Sequence, residues 1–264
     1  MMFERIWAMG DLHGSFLPIE NFYRRNKDNI NFSKGTDCII LLGDVGANYF
    51  FNHRDKKFKE KLGKFPFTYF CIRGNHEERP SICASLTPEL WHIDNFFDNT
   101  VYVENNYPYI KYALDGVAIY NINGYRTLSI PGAYSVDKYY RLMHKWSWFE
   151  HEQLSEEEMK RGQRIIERDP VFDLILSHTC PINYEPTDLF LPQVDQSTVD
   201  KIMERYLGEI EYKVDYKLWV WGHFHYYRVY PRYQNSQCIM LSAGEEAINI
   251  QEWLTDSTNI HSTY

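Results

Sequence analysis

The sequence contains no Cys-x-x-Cys pair. Its five cysteines, Cys38, Cys71, Cys83, Cys180 and Cys238, are scattered and odd in number, which argues against both a structural zinc cluster and a disulfide framework. Cys38 and Cys71 fall inside apolar runs, where a thiol serves as a small hydrophobe. A reduced, cytoplasmic protein is expected. No apolar stretch reaches the ~20 residues of a membrane-spanning helix, and Met1-Met2-Phe3-Glu4-Arg5 lacks the apolar core of a signal peptide. A membrane partner is therefore not expected. Basic residues are the minority, 28 Lys+Arg against 36 Asp+Glu for a formal charge of −8. That balance disfavours nucleic acid as a partner and leaves only a local basic patch open. Repeats, low-complexity segments and Gly/Ser linkers are also missing. Nothing divides residues 1–264, and a chain that is 44% hydrophobic and 17% aromatic can fill one large core. The oligomeric state leaves no mark in the sequence.

Five short apolar runs are present, rich in β-branched or aromatic residues as strands prefer. They are Ile6 to Met9, Cys38 to Leu42, Thr68 to Ile72, Phe172 to Leu176 and Leu218 to Trp221. Each breaks into a polar cluster: GDLHG, GDVGANY, RGNHEE, SHTCP and GHFH. Ligands of α/β sheets gather beyond the carboxyl ends of the strands, so five loops are expected to build one site. Helices are expected over Phe16 to Asn26, Asn52 to Leu62, Glu150 to Arg168 and Val194 to Leu207. The third carries a capping box, Ser155 with Glu158, and a charge run that reads as a solvated face. Alternation at Val101 to Glu104, Tyr109 to Tyr112 and Val117 to Ile122 adds antiparallel strands. The expected fold class is α/β, a four-layer αββα sandwich of two mixed sheets, with the site at the strand ends. An insert at about residues 124–165 is a candidate lid.

The loops supply Asp11, His13, Asp44, Asn75, His178, His223 and His225. These oxygen and imidazole donors suit divalent manganese first, with iron, zinc, nickel or cobalt as alternatives. Seven ligands are too many for one catalytic ion and about right for two that share a bridge. Two such ions bring about +4 against the two aspartates, leaving an electropositive pocket suited to phosphate. Singly, each histidine reads as a hydrogen-bonded structural residue; the five ordered loops together favour the metal reading. His53, His92, His144, His151 and His261 lack such a context and read as surface or packing residues.

The ordered motifs Asp11-Leu12-His13, Gly43-Asp44, Gly74-Asn75-His76-Glu77, Ser177-His178 and Gly222-His223-Phe224-His225 resemble those of the calcineurin-like metallophosphoesterases. The segment from Ile130 to Glu158 looks like the insert of bacterial and phage members. The resemblance implies that Asp11, His13 and His225 hold one ion, that Asn75, His178 and His223 hold a second, and that Asp44 bridges. It implies a phosphate mono- or diesterase in which a metal-bridging hydroxide attacks phosphorus, with His76 assisting the leaving-group oxygen. Arg73 is a candidate for the substrate phosphate, or else a structural ion pair; Arg126, Lys138 and Arg141 are weaker candidates. The Tyr-rich stretch from Tyr134 to Trp148 reads as packing for the insert, or else as a lid or substrate platform whose aromatic surfaces can stack on bases; Tyr134 is the one placed to reach the site. Serine/threonine protein phosphatases of this superfamily continue the second motif as G-D-x-x-D-R-G, whereas Ala47 and Asn48 stand here. That departure weighs against the protein-phosphatase alternative. A non-catalytic scaffold is the other alternative, and its mark would be lost ligands.

Overall fold

The computed structural model describes residues 2–190, 192, 195–232, 236–242 and 247–255. Its strands are β1 (Arg5–Met9), β2 (Asp37–Leu42), β3 (Thr68–Ile72), β4 (Trp91–Phe96), β5 (Asn99–Glu104), β6 (Ile110–Tyr112), β7 (Ala118–Ile122), β8 (Tyr125–Ile130), β9 (Val171–Ser177), β10 (Asp215–Trp221), β11 (Arg228–Val229), β12 (Gln237–Met240) and β13 (Ile248–Asn249). The helices are α1 (Leu17–Asn26), α2 (His53–Leu62), α3 (Pro80–Leu86), α4 (Lys138–His144), α5 (Glu156–Arg168), α6 (Ile202–Glu211) and α7 (Ile250–Thr255). The strands form two sheets, in the orders β13-β1-β2-β3-β6-β5-β4 and β11-β12-β10-β9-β8-β7.

Strand β2 shows why the sequence reads as an unbroken apolar run. All six of its residues are buried. Cys38, Ile40 and Leu42 join the core between the sheets, where they meet Leu174, Leu176, Leu218 and Val220. Ile39 and Leu41 join a second core with Ile19 and Phe22 of α1 and Phe58 and Leu62 of α2. A strand covered on both faces must be apolar at successive positions. Burying each such side chain stabilises the fold by about 1.5–3 kcal/mol. The other sheet repeats the plan. Ile175, Trp219 and Trp221 turn outward onto Ile166 of α5 and Met203, Leu207 and Ile210 of α6. The result is the expected αββα sandwich.

Strands β1, β2 and β3 are parallel to one another, as are β8, β9, β10 and β12. Within each sheet the loops that follow these strands therefore leave from one end, which brings the polar clusters together.

Two helices differ from expectation. Helix α5 begins at Glu156, with the capping box made at Ser155 and Glu158. Residues 150–154 stay outside it because their carbonyls are taken: Arg79 binds those of His151 and Gln153, and Arg73 binds that of Glu152. The charge run is exposed where Lys160 meets Glu156 and Arg161 meets Glu157. Glu158 departs from it and pairs with Arg79 at 2.5 Å. Of the helix expected from Val194 to Leu207, α6 starts only at Ile202 and runs on to Glu211. Before it, the Asp195 side chain caps a short 3-10 turn at Gln196–Thr198. Val194 lies outside the described residues, as does His261.

Candidate metal centre

An imidazole is among the groups that join the two sheets at their loop ends. His178, fully buried after β9, donates from Nδ1 to the carbonyl of Leu42 at 2.6 Å. That bond assigns the proton to Nδ1 and leaves the Nε2 lone pair facing Asn75 Oδ1 at 2.9 Å and Asp44 Oδ1 at 3.4 Å. Asn75 is oriented in turn. Its Nδ2 donates to Ser135 Oγ at 2.9 Å, and Ser135 donates to Glu152 Oε2 at 2.5 Å, so the amide oxygen is the atom aimed at His178. A lone pair and two oxygens converge there and call for a positive charge, as a proton or a cation. Burial works against protonating His178, yet Asp44 prevails and lifts its pKa to about 9. The same demand appears where His13 Nε2 and His225 Nε2 stand 2.8 Å apart. Asp11 Oδ2 lies 3.3 Å from His225 and 3.9 Å from His13. The donor set fits a divalent ion at both places.

Three groups of side chains converge within 4.8 Å: Asp11 with His13 and His225, Asp11 with Asp44 and His178, and His13 with Asp44 and His76. The two oxygens of Asp44 divide between them, Oδ1 toward His178 and Oδ2 toward His13 at 3.8 Å. His223 stands outside these groups; its ring centroid is 5.0 Å from that of His178, and its backbone N–H donates to Asp11 Oδ1 at 2.9 Å.

The backbone is bent to achieve this. His13, Asp44, His223 and His225 all have left-handed φ, between 47° and 69°. Each costs about 1–3 kcal/mol for a non-glycine residue and persists only where its surroundings hold it. Here the His13 N–H donates to the Asp44 carbonyl at 2.7 Å. Glycine is required at two neighbouring positions. A Cβ on Gly43, at φ +93°, would overlap the His178 ring, and one on Gly74 would overlap Asp44 Oδ1.

His76 is held from two sides. Its backbone N–H donates to Asp44 Oδ1 at 2.7 Å. Its Nδ1 lies 2.6 Å from Nη2 of Arg141, which is fixed by Asp137 at 2.7 Å and by the Tyr49 hydroxyl at 2.8 Å. Arginine only donates. Nη2 also lies 3.2 Å from His76 Nε2, so both ring nitrogens face the guanidinium, with Nδ1 the closer acceptor; Nε2 is 3.9 Å from Asp44 Oδ2. Burial pushes the His76 pKa down to about 4; Asp44 opposes the shift and Arg141 adds to it.

Of the residues named from sequence, the seven candidate ligands and His76 come together. Tyr134 lines a cavity of ≈350 Å³ beside them, with Asp44, Asn75, His76, His223 and His225. Arg73 does not line it. It is buried, and its Nη1 donates to the carbonyls of Gly74 at 3.1 Å and Glu152 at 2.8 Å. Packing does not describe the rest of the Tyr-rich stretch, since Tyr139, Tyr140 and Trp146 are exposed; Arg141 is the buried residue of α4. Asn48 also turns from the site, its Oδ1 accepting from Lys59 at 3.3 Å. Sequence reading gave Arg141 little weight and missed Tyr49, Ser135 and Glu152. Their partners lie 17 to 92 positions away, beyond any local pattern.

A two-sheet sandwich with histidine and carboxylate donors converging at its strand ends defines a metal-dependent hydrolase. Residues 4–227 match the model of the calcineurin-like phosphoesterases. The chain belongs to that family and is a metal-dependent phosphoric ester hydrolase. Among solved structures, phosphopantetheinyl hydrolase from Mycobacterium tuberculosis is similar to it over 94% of this chain and 91% of that one, with a TM-score of 0.49 and 15% identity. No curated protein sequence matches the chain. No helix among the described residues is long and apolar enough to cross a membrane.

Proposed function

We propose that the protein hydrolyses a phosphate mono- or diester at a two-metal centre, with manganese as the expected ion. Asp11, His13 and His225 would hold one ion, Asn75, His178 and His223 the other, with Asp44 shared. The observation that carries this reading is the division of the Asp44 oxygens, one toward His13 and one toward His178. Such ions supply Lewis-acid charge for phosphoryl oxygens and a low-pKa water near neutral pH.

The chain's own residues do the rest. Ser135 and Glu152 fix the Asn75 amide, and Leu42 fixes the His178 tautomer. In hydrolysis the oxygen of water joins phosphorus, the P–O bond to the leaving group breaks, and the departing oxygen takes a proton. His76, a neutral imidazole, hydrogen-bonds that oxygen as its charge builds, and the proton the oxygen finally takes comes from solvent, since a neutral ring that gave up its own proton would become an imidazolate. Arg141 is the positioning residue for His76; its Nη2, closest to Nδ1, holds the ring in place beside Asp44. Arg73 receives no substrate role in this reading, because it is buried away from the cavity, with its Nη1 on backbone carbonyls.

The test is hydrolysis of p-nitrophenyl phosphate and bis-p-nitrophenyl phosphate by metal-stripped protein before and after Mn²⁺ is added. Restored activity with about two ions per chain by elemental analysis supports the reading, and the preferred ester separates monoesterase from diesterase. Protein that binds no metal and cleaves neither ester refutes it.

A further inference from the structure

The cavity beside the candidate ligands has a second wall unlike the first. Leu189, Phe190, Val199 and Phe224 make it apolar, and the rings of Phe190 and Phe224 stack at 6.2 Å. Three carboxylates, Glu185, Asp200 and Glu204, interrupt it, against one cation, Lys201. Lys201 is already occupied: its Nζ sits 2.6 Å from Glu185 and 4.9 Å over the Phe190 ring. Asp200 accepts from Gln153 Nε2 at 3.1 Å and from the N–H of Ile202 at 2.9 Å.

Glu204 differs from these. It is only 4% exposed, its Oε1 accepts from Thr179 Oγ1 at 2.7 Å, and its Oε2 has no partner. An unpaired buried carboxyl oxygen costs about 1–3 kcal/mol or more, a cost that a hydrogen-bond donor inside the cavity would remove. Burial also raises the Glu204 pKa to about 7, in keeping with a carboxyl that lacks a full set of donors.

We propose that this cavity receives the leaving group of the phosphoester and selects an apolar body ending in a hydrogen-bond donor for Glu204. This rests on the phosphoesterase reading and adds a substrate class to it. The phosphate lies at the histidine and aspartate end; the organic part lies on Phe190, Val199 and Phe224. The cavity of ≈350 Å³ also spans the histidine and aspartate end, so with the phosphate in place it leaves room for about one ring. A second anionic group on the leaving side meets Glu185, Asp200 and Glu204, with Lys201 already paired to Glu185, so polyphosphates, polynucleotides and carboxylates are rejected there by like charge.

Three phenyl phosphates test this, differing only in the para substituent: 2-aminoethyl, 2-hydroxyethyl and 2-carboxyethyl. Their phenols are closely matched as leaving groups, so differences report the cavity. With Mn²⁺-loaded protein, kcat/KM for the ammonium and hydroxyl esters should exceed that of the carboxylate by about tenfold or more, chiefly through KM. Glu204→Gln should erase most of the ammonium preference and leave the hydroxyl ester within a few-fold. Equal values for the three esters, or a preference for the carboxylate, overturn the inference and leave the phosphoesterase reading standing. Calorimetry of tyramine binding to metal-free protein supplies a readout independent of turnover. Saturable binding weakened by Glu204→Gln supports the cavity even if hydrolysis of every ester fails and sinks the function; absence of saturable binding overturns it.

Discussion

Replacing Arg141 should slow poor leaving groups far more than good ones. Its Nη2 is 2.6 Å from His76 Nδ1, and the guanidinium is fixed by Asp137 and Tyr49. A hydrogen bond from a charged donor contributes about 1.5–3 kcal/mol. If all of that keeps a His76 N–H aimed at the departing oxygen, Arg141→Ala loses roughly 10- to 150-fold in kcat. The loss should appear in full with phenyl phosphate, whose phenolate needs a proton or a strong donor. It should shrink to a few-fold with p-nitrophenyl phosphate, which leaves unaided. Arg141→Lys keeps a charge and a donor but not the fork that reaches Tyr49 and Asp137 together, so partial recovery is expected. The assay is kcat and KM for both esters, with thermal melting to confirm that each variant is folded. Equal losses on both esters would refute the positioning argument, and a rise confined to KM would instead make Arg141 a phosphate contact.

The other predictions separate the metal site from the hydrogen-bond donor and from the scaffold. His76→Ala should retain metal by elemental analysis while turnover of phenyl phosphate falls by about 10²-fold or more. Asp44→Asn should do the reverse in order of cause, lowering metal occupancy first and activity with it. Gly74→Ala forces the Asp44 carboxylate to move and should weaken metal affinity by about 10- to 100-fold in a Mn²⁺ titration. For Glu158, burial raises the pKa, but Arg79 and Ser155 more than offset it and hold the carboxyl at about 2. A depressed folded-state pKa stabilises the protein above the unfolded value near 4.5 and loses that contribution as pH falls from there toward 2. Denaturant melts of wild type against Glu158→Gln should differ by about 1 kcal/mol at pH 6, a figure discounted for the solvent screening that still reaches this partly buried pair, and converge near pH 2. A difference that stays constant with pH would show that packing rather than charge explains the variant.

The sandwich was legible because its central strands are covered on both faces. Each spends its whole length in apolar residues and then changes abruptly to ligand chemistry, as Leu42 gives way to Gly43 and Asp44. Strand β4 had no such signature: three of the six residues of Trp91–Phe96 are exposed, and polar His92, Asp94 and Asn95 break its apolar character. The start of α5 was misjudged because helical residues fill Glu150 to Leu154. What keeps them out of the helix is Arg73 and Arg79, more than seventy positions earlier, binding their carbonyls. Arg73 was misjudged for the same reason. Its place beside the Gly74-Asn75-His76-Glu77 motif suggested the substrate, whereas its side chain turns back to hold the insert.

That exchange gives the insert a larger part than a cover. Between β8 and α5 it supplies Ser135 to Asn75, Glu152 to Ser135 and Arg141 to His76. Where the second motif of serine/threonine phosphatases carries an aspartate for the catalytic histidine, Ala47 is buried and apolar. The histidine's partner arrives instead from α4, with the opposite charge. An aspartate beside His76 would favour the imidazolium; Arg141 disfavours it, and the pKa of about 4 keeps the ring neutral above that value. A neutral imidazole keeps one N–H as a hydrogen-bond donor across the whole neutral range, so it can stabilise charge on a departing oxygen without transferring its own proton. The missing aspartate therefore does not mark a disabled site. It marks one in which burial first, and then an arginine that the motif itself does not contain, keep His76 neutral.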